Sequence, residues 1–268
     1  MIKKYLNGDD FILENDEFLN ENEYLAVFFR LNSKILDSTN KNNYIFKCEN
    51  ENKKLLVLRK EPYNTLVFGN KECVNEIFTF INEEGYYFEG VLGINEVLEE
   101  IASFYKEIGI NFEQEIGMDF MTCEKRCQVN CNEIEIPNEN DSDELFYCVQ
   151  RFIVDCGLND VITLDAIKAT ISDFRIIRRE GKIASMAKIA PSSSTSKKIS
   201  DVYTRDEFRS LGLARKVVGS VLNEIVDKGL IATLNVDQKN PITNHLYSSL
   251  GFKKLFSQSV YVKKQKQD

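Results

Sequence analysis

Apolar residues recur at helical spacing in some stretches of this chain and at every second position in others, and this switching predicts its elements. Glu23 to Leu36 reads as an amphipathic helix. "YIFKC", "KLLVLR" and "TLVFG" read as three short strands separated by polar turns. In a helix expected over residues 71–84, Val74, Ile77, Phe78 and Ile81 share one face. "GVLG", residues 90–93, is a short strand or turn, and Asn95 to Glu107 is a further helix carrying Leu98, Ile101 and Tyr105 inward.

Pro, Asn, Asp and Ser then interrupt the pattern in "NEIEIPNENDSDE", residues 132–144. A boundary here divides the 268 residues into 1–132 and 133–268, each near the usual domain size of about 100–150 residues. The second part reads as helices at Asp143–Cys156 and Asn159–Ser172, then a hairpin in "FRIIRREGKIASMAKIA" turning at Glu180-Gly181. "KISDVYT" is a strand and Glu207–Lys228 a helix with the seam Leu213, Val217, Val221 and Ile225, stopped by Gly229. "IATLNVD", a short helix over Asn240–Leu250 and a strand in "GFKKLFSQSVYVKK" complete the chain. Strand, long helix, strand implies a parallel crossover, so the class is α/β or α+β with a mixed sheet.

The middle of "VYTRDEFRSLGLARKVV" has its own chemistry. Arg209, Ser210, Leu211, Gly212, Leu213, Ala214 and Arg215 place bare residues where a helix begins. Free amides and the positive dipole end attract anions there, and large side chains would keep a phosphate out. Gly212 and Ala214 leave room, while Arg209 can add charge at the rim. The stretch is neither a P-loop nor a G-x-G-x-x-G fingerprint. Taken alone, Gly212 could equally serve close helix–strand packing.

Composition adds bounds. No apolar run approaches the roughly 20 residues of a membrane span. The N-terminus has no secretory pattern, and seven scattered cysteines read as reduced thiols of a cytoplasmic protein. Cys123, Cys127 and Cys131 are spaced by four, away from His245, the one histidine, so they read as small hydrophobes in a strand with no metal. Residues 1–133 hold 14 Lys and Arg against 25 Asp and Glu, and residues 134–268 hold 20 against 17. The acidic half excludes nucleic acid and leans toward a cationic acceptor, and the mildly basic half suits a small anionic ligand.

"ISDVYTRDEFRSLGLARKVVGSVL" followed by "LNVDQKNPITNHLYSSLGF" resembles the GNAT superfamily of acyl-CoA-dependent N-acetyltransferases. Its R/Q-x-x-G-x-G/A motif matches Arg209 through Ala214. Its second motif matches Asn240, Leu246-Tyr247 and Gly251-Phe252, with Thr243 in place of the usual Ala. The layout of residues 1–130 is similar to a degenerate GNAT domain. The resemblance implies two tandem GNAT-like domains, each a mixed, mostly antiparallel sheet flanked by helices, with acetyl-CoA bound by the second. By the same resemblance, Val202, Tyr203 and Thr204 offer backbone groups to the pantetheine arm, and amides from Leu211 to Arg215 hold the diphosphate. Asn240 bonds the cofactor arm, and Tyr247 is the acid beside the leaving sulfur. The acceptor is an amine of a small molecule or peptide, and a homodimer is left open.

Other groups have plainer readings beside functional ones. Arg178-Arg179 and Lys197-Lys198 are either holders of the 3′-phosphate or surface pairs. Asp201, Glu180 and Asp173 are either the base or surface charge. Tyr86, Tyr87 and Phe88 read as a strand, and "GVLG" marks where the first half would carry a phosphate turn. Two other classes of function stand beside the enzyme: a non-catalytic CoA-binding module and a partner-binding protein.

Overall fold

The computed structural model describes residues 1–264 apart from Asn22, Ser38 and Asn159. In chain order the elements are β1 (Ile2–Tyr5), α1 (Gly8–Asn20), α2 (Glu23–Lys34), β2 (Tyr44–Asn50), β3 (Lys53–Arg59), β4 (Thr65–Gly69), α3 (Val74–Glu83), β5 (Gly90–Ile94), α4 (Asn95–Glu107) and β6 (Asn111–Cys123). There follow α5 (Ser142–Asp155), α6 (Leu164–Ala169), β7 (Phe174–Arg179), β8 (Lys182–Pro191), β9 (Ser196–Thr204), α7 (Leu213–Asp227), β10 (Ile231–Asp237), α8 (Pro241–Ser249) and β11 (Lys253–Lys264).

They form two compact units. The first is Met1–Asp119 with Asp237–Lys239 and the chain from Phe256 on; the second is Phe120–Val236 with Asn240–Leu255. The units do not part at 132/133. Glu135 exchanges backbone hydrogen bonds of 3.0 and 2.9 Å with Ile176 of β7, so the Pro- and Asn-rich stretch is an internal loop of the second unit.

In the first unit β1, β2, β3 and β4 pair antiparallel, β4 pairs parallel with β5, and β5 pairs antiparallel with β11. Period-two alternation sorts the side chains. Ile45, Leu56, Leu58 and Phe68 form one core cluster with Phe11, Leu19, Ala26 and Phe29 of α1 and α2. Phe46, Leu55, Val57 and Val67 form another with Ile77, Phe78, Leu98 and Ile101 of α3 and α4. In the second unit β7, β8 and β9 pair antiparallel and β9 pairs parallel with β10. Ile177, Ala184, Ile199 and Leu234 pack with Leu213, Val217, Val221 and Ile225 of α7. Phe174, Ile176, Ile183 and Met186 pack with Leu145, Cys148, Val149 and Ile167 of α5 and α6. In chain order β1 to β6 run strand, two helices, three antiparallel strands, helix, parallel strand, helix, strand, and β6 to β11 repeat that order, with the residues of β6 and β11 divided between the two units; each unit has a mixed and mostly antiparallel sheet flanked by helices.

Several expectations change. α1 was not expected, because acidic residues crowd the wheel around Phe11 and Leu19; Asn7 starts it by accepting from the Asp10 amide at 2.8 Å. "GVLG" lies within β5 and is not a turn. Tyr86 to Phe88 lie in a connection: Tyr86 packs on Tyr44 and Phe46, and Phe88 enters the core. Of these three cysteines Cys123 alone lies in a strand; Cys127 and Cys131 follow β6 in a segment without regular structure that Asn223 of α7 holds, through the Cys127 amide and carbonyl at 2.9 and 3.1 Å. Of the helix expected over Asn159–Ser172, Asn159 lies outside the described residues and the rest contains only α6, capped by Thr163, and a short 3₁₀ turn.

In the first unit the turn after β4 is locked to β3. The Asn70 amide donates to the Lys54 carbonyl at 2.7 Å, and the Lys54 amide donates to Asn70 Oδ1 at 2.9 Å. Gly69, at φ +134°, sits so close that a Cβ would lie 2.1 Å from the Lys54 carbonyl oxygen. Gly69→Ala should therefore lose about 2–5 kcal/mol, from backbone strain and overpacking together, measured by urea unfolding.

Candidate functional site in the second unit

The site begins where two parallel strands separate. β9 and β10 pair only at Ser196 with Ile231, Lys197 with Ala232 and Lys198 with Thr233. Beyond Lys198 the strands part, while β9 stays paired with β8 on its other side. A bulge causes this: Lys188 faces Ser200 and Met186 faces Tyr203, so Asp201 and Val202 together oppose Ala187. Asp201 takes the left-handed conformation at φ 51°. The edge of β9 from Ile199 to Thr204 is left without β10 as a partner, and it includes Val202, Tyr203 and Thr204. Val202 packs toward α7, and Tyr203 is buried toward α5.

Past the strand, α7 does not begin at Glu207. A 3₁₀ turn spans Asp206–Phe208, and Ser210 (φ 65°) and Gly212 (φ 72°) then bend the chain twice before Leu213 starts the helix. Both angles are incompatible with a helix. No side chain caps α7, so its first-turn amides face outward. A Cβ on Gly212 would meet nothing within 4 Å. The packing explanation therefore fails: this glycine satisfies a left-handed turn beside open space. Leu213 is buried in the core, whereas Ser210 and Leu211 are exposed.

The charge expected at the rim is already engaged. The Arg209 guanidinium pairs with Asp155 at 2.8 Å and Asp206 at 2.7 Å, and its Nε donates to the Thr204 carbonyl at 3.2 Å. Arg209 thus braces the turn, tying it to the end of α5 and the end of β9. Arg215 donates to the Ser249 hydroxyl, joining α7 to α8. Arg178 is held by Asp141 at 2.6 Å and Glu135 at 3.0 Å, and Arg179 by Glu133 at 2.7 Å, so both belong to ion-pair networks.

α8 supplies the remaining expected residues. Asn240 caps it, its Oδ1 accepting from the Thr243 amide at 3.2 Å, with Pro241 at the first position. That cap occupies the side-chain carbonyl expected to face the cofactor arm. Tyr247 is 6% exposed, packs against Phe252, and shares a core cluster with Phe208 and Leu213. Burial pushes its phenol well above the usual value, with a smaller contribution from Cys156 at the end of α5. Among the described residues its hydroxyl makes no hydrogen bond. Val202 to Arg215 thus line the parting strands and the start of α7, Tyr247 belongs to the buried cluster beneath them, and Asn240 is the exposed cap of α8. His245 is exposed, and Glu180 sits at the exposed hairpin turn.

Of the three carboxylates considered as a base, only Asp201 stands at the bulge. Burial raises its carboxyl above the usual range, against the lowering influence of Lys188 and Lys198. Sequence reasoning missed Asp155 and Lys188. Neither lies in a motif, and only the bulge and the end of α5 bring them in. Among the described residues no group of His, Cys, Asp or Glu is arranged to hold a metal ion, and no helix is long and apolar enough to cross a membrane.

Residues 177–262 match the family model described as FR47-like protein. Among solved structures, the chain is similar to a GCN5-related N-acetyltransferase from Sphaerobacter thermophilus, with a TM-score of 0.64 at 12% identity over 98% of this chain and 95% of that one. It is also similar to a GNAT-family acetyltransferase from Colwellia psychrerythraea, with a TM-score of 0.60 at 12% identity over 99% and 100%. A tandem GNAT protein from the clavulanic acid biosynthesis pathway aligns over the full length of both chains, with a TM-score of 0.53 at 8% identity. No curated protein matches the sequence. Residues 177–262 thus resemble the FR47-like family, and the chain as a whole has the fold of solved GNAT acetyltransferases.

Because the space at Gly212 is open, Gly212→Ala should lose only the left-handed penalty, about 1–2 kcal/mol in urea unfolding. A larger loss would mean that a neighbour contacts this position after all.

Proposed function

We propose that the protein is an acetyl-CoA-dependent N-acetyltransferase whose second unit moves an acetyl group to an amine. The observation that carries this reading is the uncapped start of α7, entered through the left-handed Gly212 beside open space. The residues fit the co-substrate: amides from Leu211 to Arg215 would hold its diphosphate, and the free edge of β9 at Val202 to Thr204 would pair with its amide-containing arm. When bound, acetyl-CoA supplies an acetyl group activated as a thioester.

The chain's own groups do the rest. A protonated amine is not a nucleophile, so a base must take its proton, and the Asp201 carboxylate at the bulge accepts it. Amides of the β9 edge are free to hydrogen-bond a carbonyl oxygen as charge grows on it. Holding the amine in line accounts for much of the remaining rate. Tyr247 acts as a hydrogen-bond donor to the leaving sulfur. Its phenol lies above the usual value of about 10 and a thiol near 8.5, so full proton transfer to the thiolate runs uphill.

Calorimetric titration with acetyl-CoA should show binding by the wild type that Gly212→Glu abolishes; binding that survives the glutamate rejects the helix-start site. In turnover, Asp201→Asn should lower kcat about 10²- to 10⁴-fold. The wild-type rate rises with pH through the raised Asp201 pKa, because only the carboxylate takes the proton, and the asparagine variant loses that limb. Tyr247→Phe should lower kcat about tenfold, the worth of one hydrogen bond, with little change in acetyl-CoA affinity. A protein that binds acetyl-CoA but shows no thiol release with any amine is instead a CoA-binding module.

A further inference from the structure

The face of β8 and β9 turned away from α7 carries charges that the transfer chemistry does not fully use. Lys188 lies opposite Phe174, a residue of the α5–α6 core, so it stands on this face. It is held in place: Nζ donates to Thr170 Oγ1 at 3.1 Å, lies 5.0 Å from the Phe174 ring centroid, and is 4.0 Å from Asp201 Oδ2. Lys198, at the last paired position before β9 and β10 part, is not held. It is half-buried, and among the described residues it makes no hydrogen bond and no ion pair within 4 Å. The charged groups acting on it are Asp201 and Asp160, and burial outweighs both, lowering its pKa. An ammonium kept from water without a close partner is unfavourable, and an anion beside it removes the penalty.

The position of this lysine gives that anion a source. α7 covers one face of the strands, and α5 and α6 cover the other at Phe174, Met186 and Tyr203; Lys188, Lys198 and Asp201 stay half-buried beside that core, so an acceptor reaches the bulge from their side. An acceptor with its ammonium at Asp201 and an acidic group at Lys198 pairs both charges at once. We propose that the acceptor is an amine that also bears a carboxylate, held by Lys198 with Lys188 flanking it. This rests on the N-acetyltransferase reading. It replaces the cationic acceptor suggested by the acidic first half of the sequence, because the charges at the bulge itself decide the selection.

The test is a panel of unbranched amino acids with two to six carbons, each paired with its own amide, scored by thiol release from acetyl-CoA. The carboxylate forms should show lower KM than their amides by about 10- to 100-fold, the worth of a charged hydrogen bond, at similar kcat. Lys198→Met should collapse that ratio toward one, and Lys198→Arg should restore most of it; unchanged thermal melting shows that the variants fold. Saturation-transfer NMR on the mixture of N-acetylated products reads the same preference without turnover. A panel in which no carboxylated amine outruns its amide overturns the proposal, whether or not plain amines react. So does a Lys198→Met variant that weakens both members of each pair equally. Failure of acetyl-CoA to bind in calorimetry sinks the underlying function instead, and so separates the two.

Discussion

The second unit depends on a β9 strand that must satisfy one neighbour and desert the other. Buried backbone groups are almost always paired, so a strand edge left open inside a fold needs both a cause and a use. The cause is the bulge at Asp201 and Val202, which adds a residue against β8 and turns β9 away from β10 after three paired positions. Asp201, Ser210 and Gly212 all adopt left-handed conformations within twelve positions of one another, and non-glycine residues there carry strain of about 1–3 kcal/mol each. The surrounding core holds them: Phe208, Leu213, Val217 and Tyr247 belong to one buried cluster. Glu51 and Glu180 take the same conformation in exposed hairpin turns, whereas at Asp201 and Ser210 the strain coincides with the open edge and the uncapped helix.

Charge is distributed by the same logic. Most arginines near the site are bound to carboxylates: Arg178 to Glu135 and Asp141, Arg205 to Glu144, Arg209 to Asp155 and Asp206, while Arg215 donates to the Ser249 hydroxyl. Planar guanidinium forks suit such fixed pairing, and they position the loops without offering free charge. The net positive count of residues 134–268 is therefore largely spent on architecture. The lysines behave differently. Lys188 has only a distant carboxylate and Lys198 none within bonding range among the described residues, so the available positive charge lies at the bulge and, at the helix start, on Arg215.

How much was legible in the sequence follows from the range of each interaction. Hydrophobic period announced the hairpin of β7 and β8, the seam of α7 and the two middle helices of the first unit, because those patterns are local. The motif from Arg209 to Ala214 and the pair Asn240 and Tyr247 were legible as a resemblance; Leu213 and Tyr247 share a buried cluster, and Asn240 caps α8. The start of α7 was misjudged by six residues, because "DEFRSL" has helical propensity and only the left-handed angles at Ser210 and Gly212 forbid the helix. The domain boundary was misjudged because the bridge between Glu135 and Ile176 is long-range, and β6 was missed because charged residues crowd its exposed first half. Asp201 looked like one of three equivalent carboxylates; a bulge is invisible to a period-two count until the partner strand is known.

The two units show how one element order can be put to opposite uses. In each, a strand runs into a turn containing a glycine of positive φ, and a helix follows. At Gly69 a side chain would strike the Lys54 carbonyl, Asn70 locks the turn to β3, and the next helix opens with Cys73 and Val74 buried. The glycine there admits the protein's own backbone. At Gly212 a side chain would meet nothing, and the helix opens toward the solvent. A glycine count treats the two alike, and so does a motif that asks only for a small residue. What distinguishes them is which atoms occupy the missing Cβ's direction: chain in the first unit, open space in the second. That difference, more than the number of positive residues nearby, marks the start of α7 as the place where an anion can approach backbone amides.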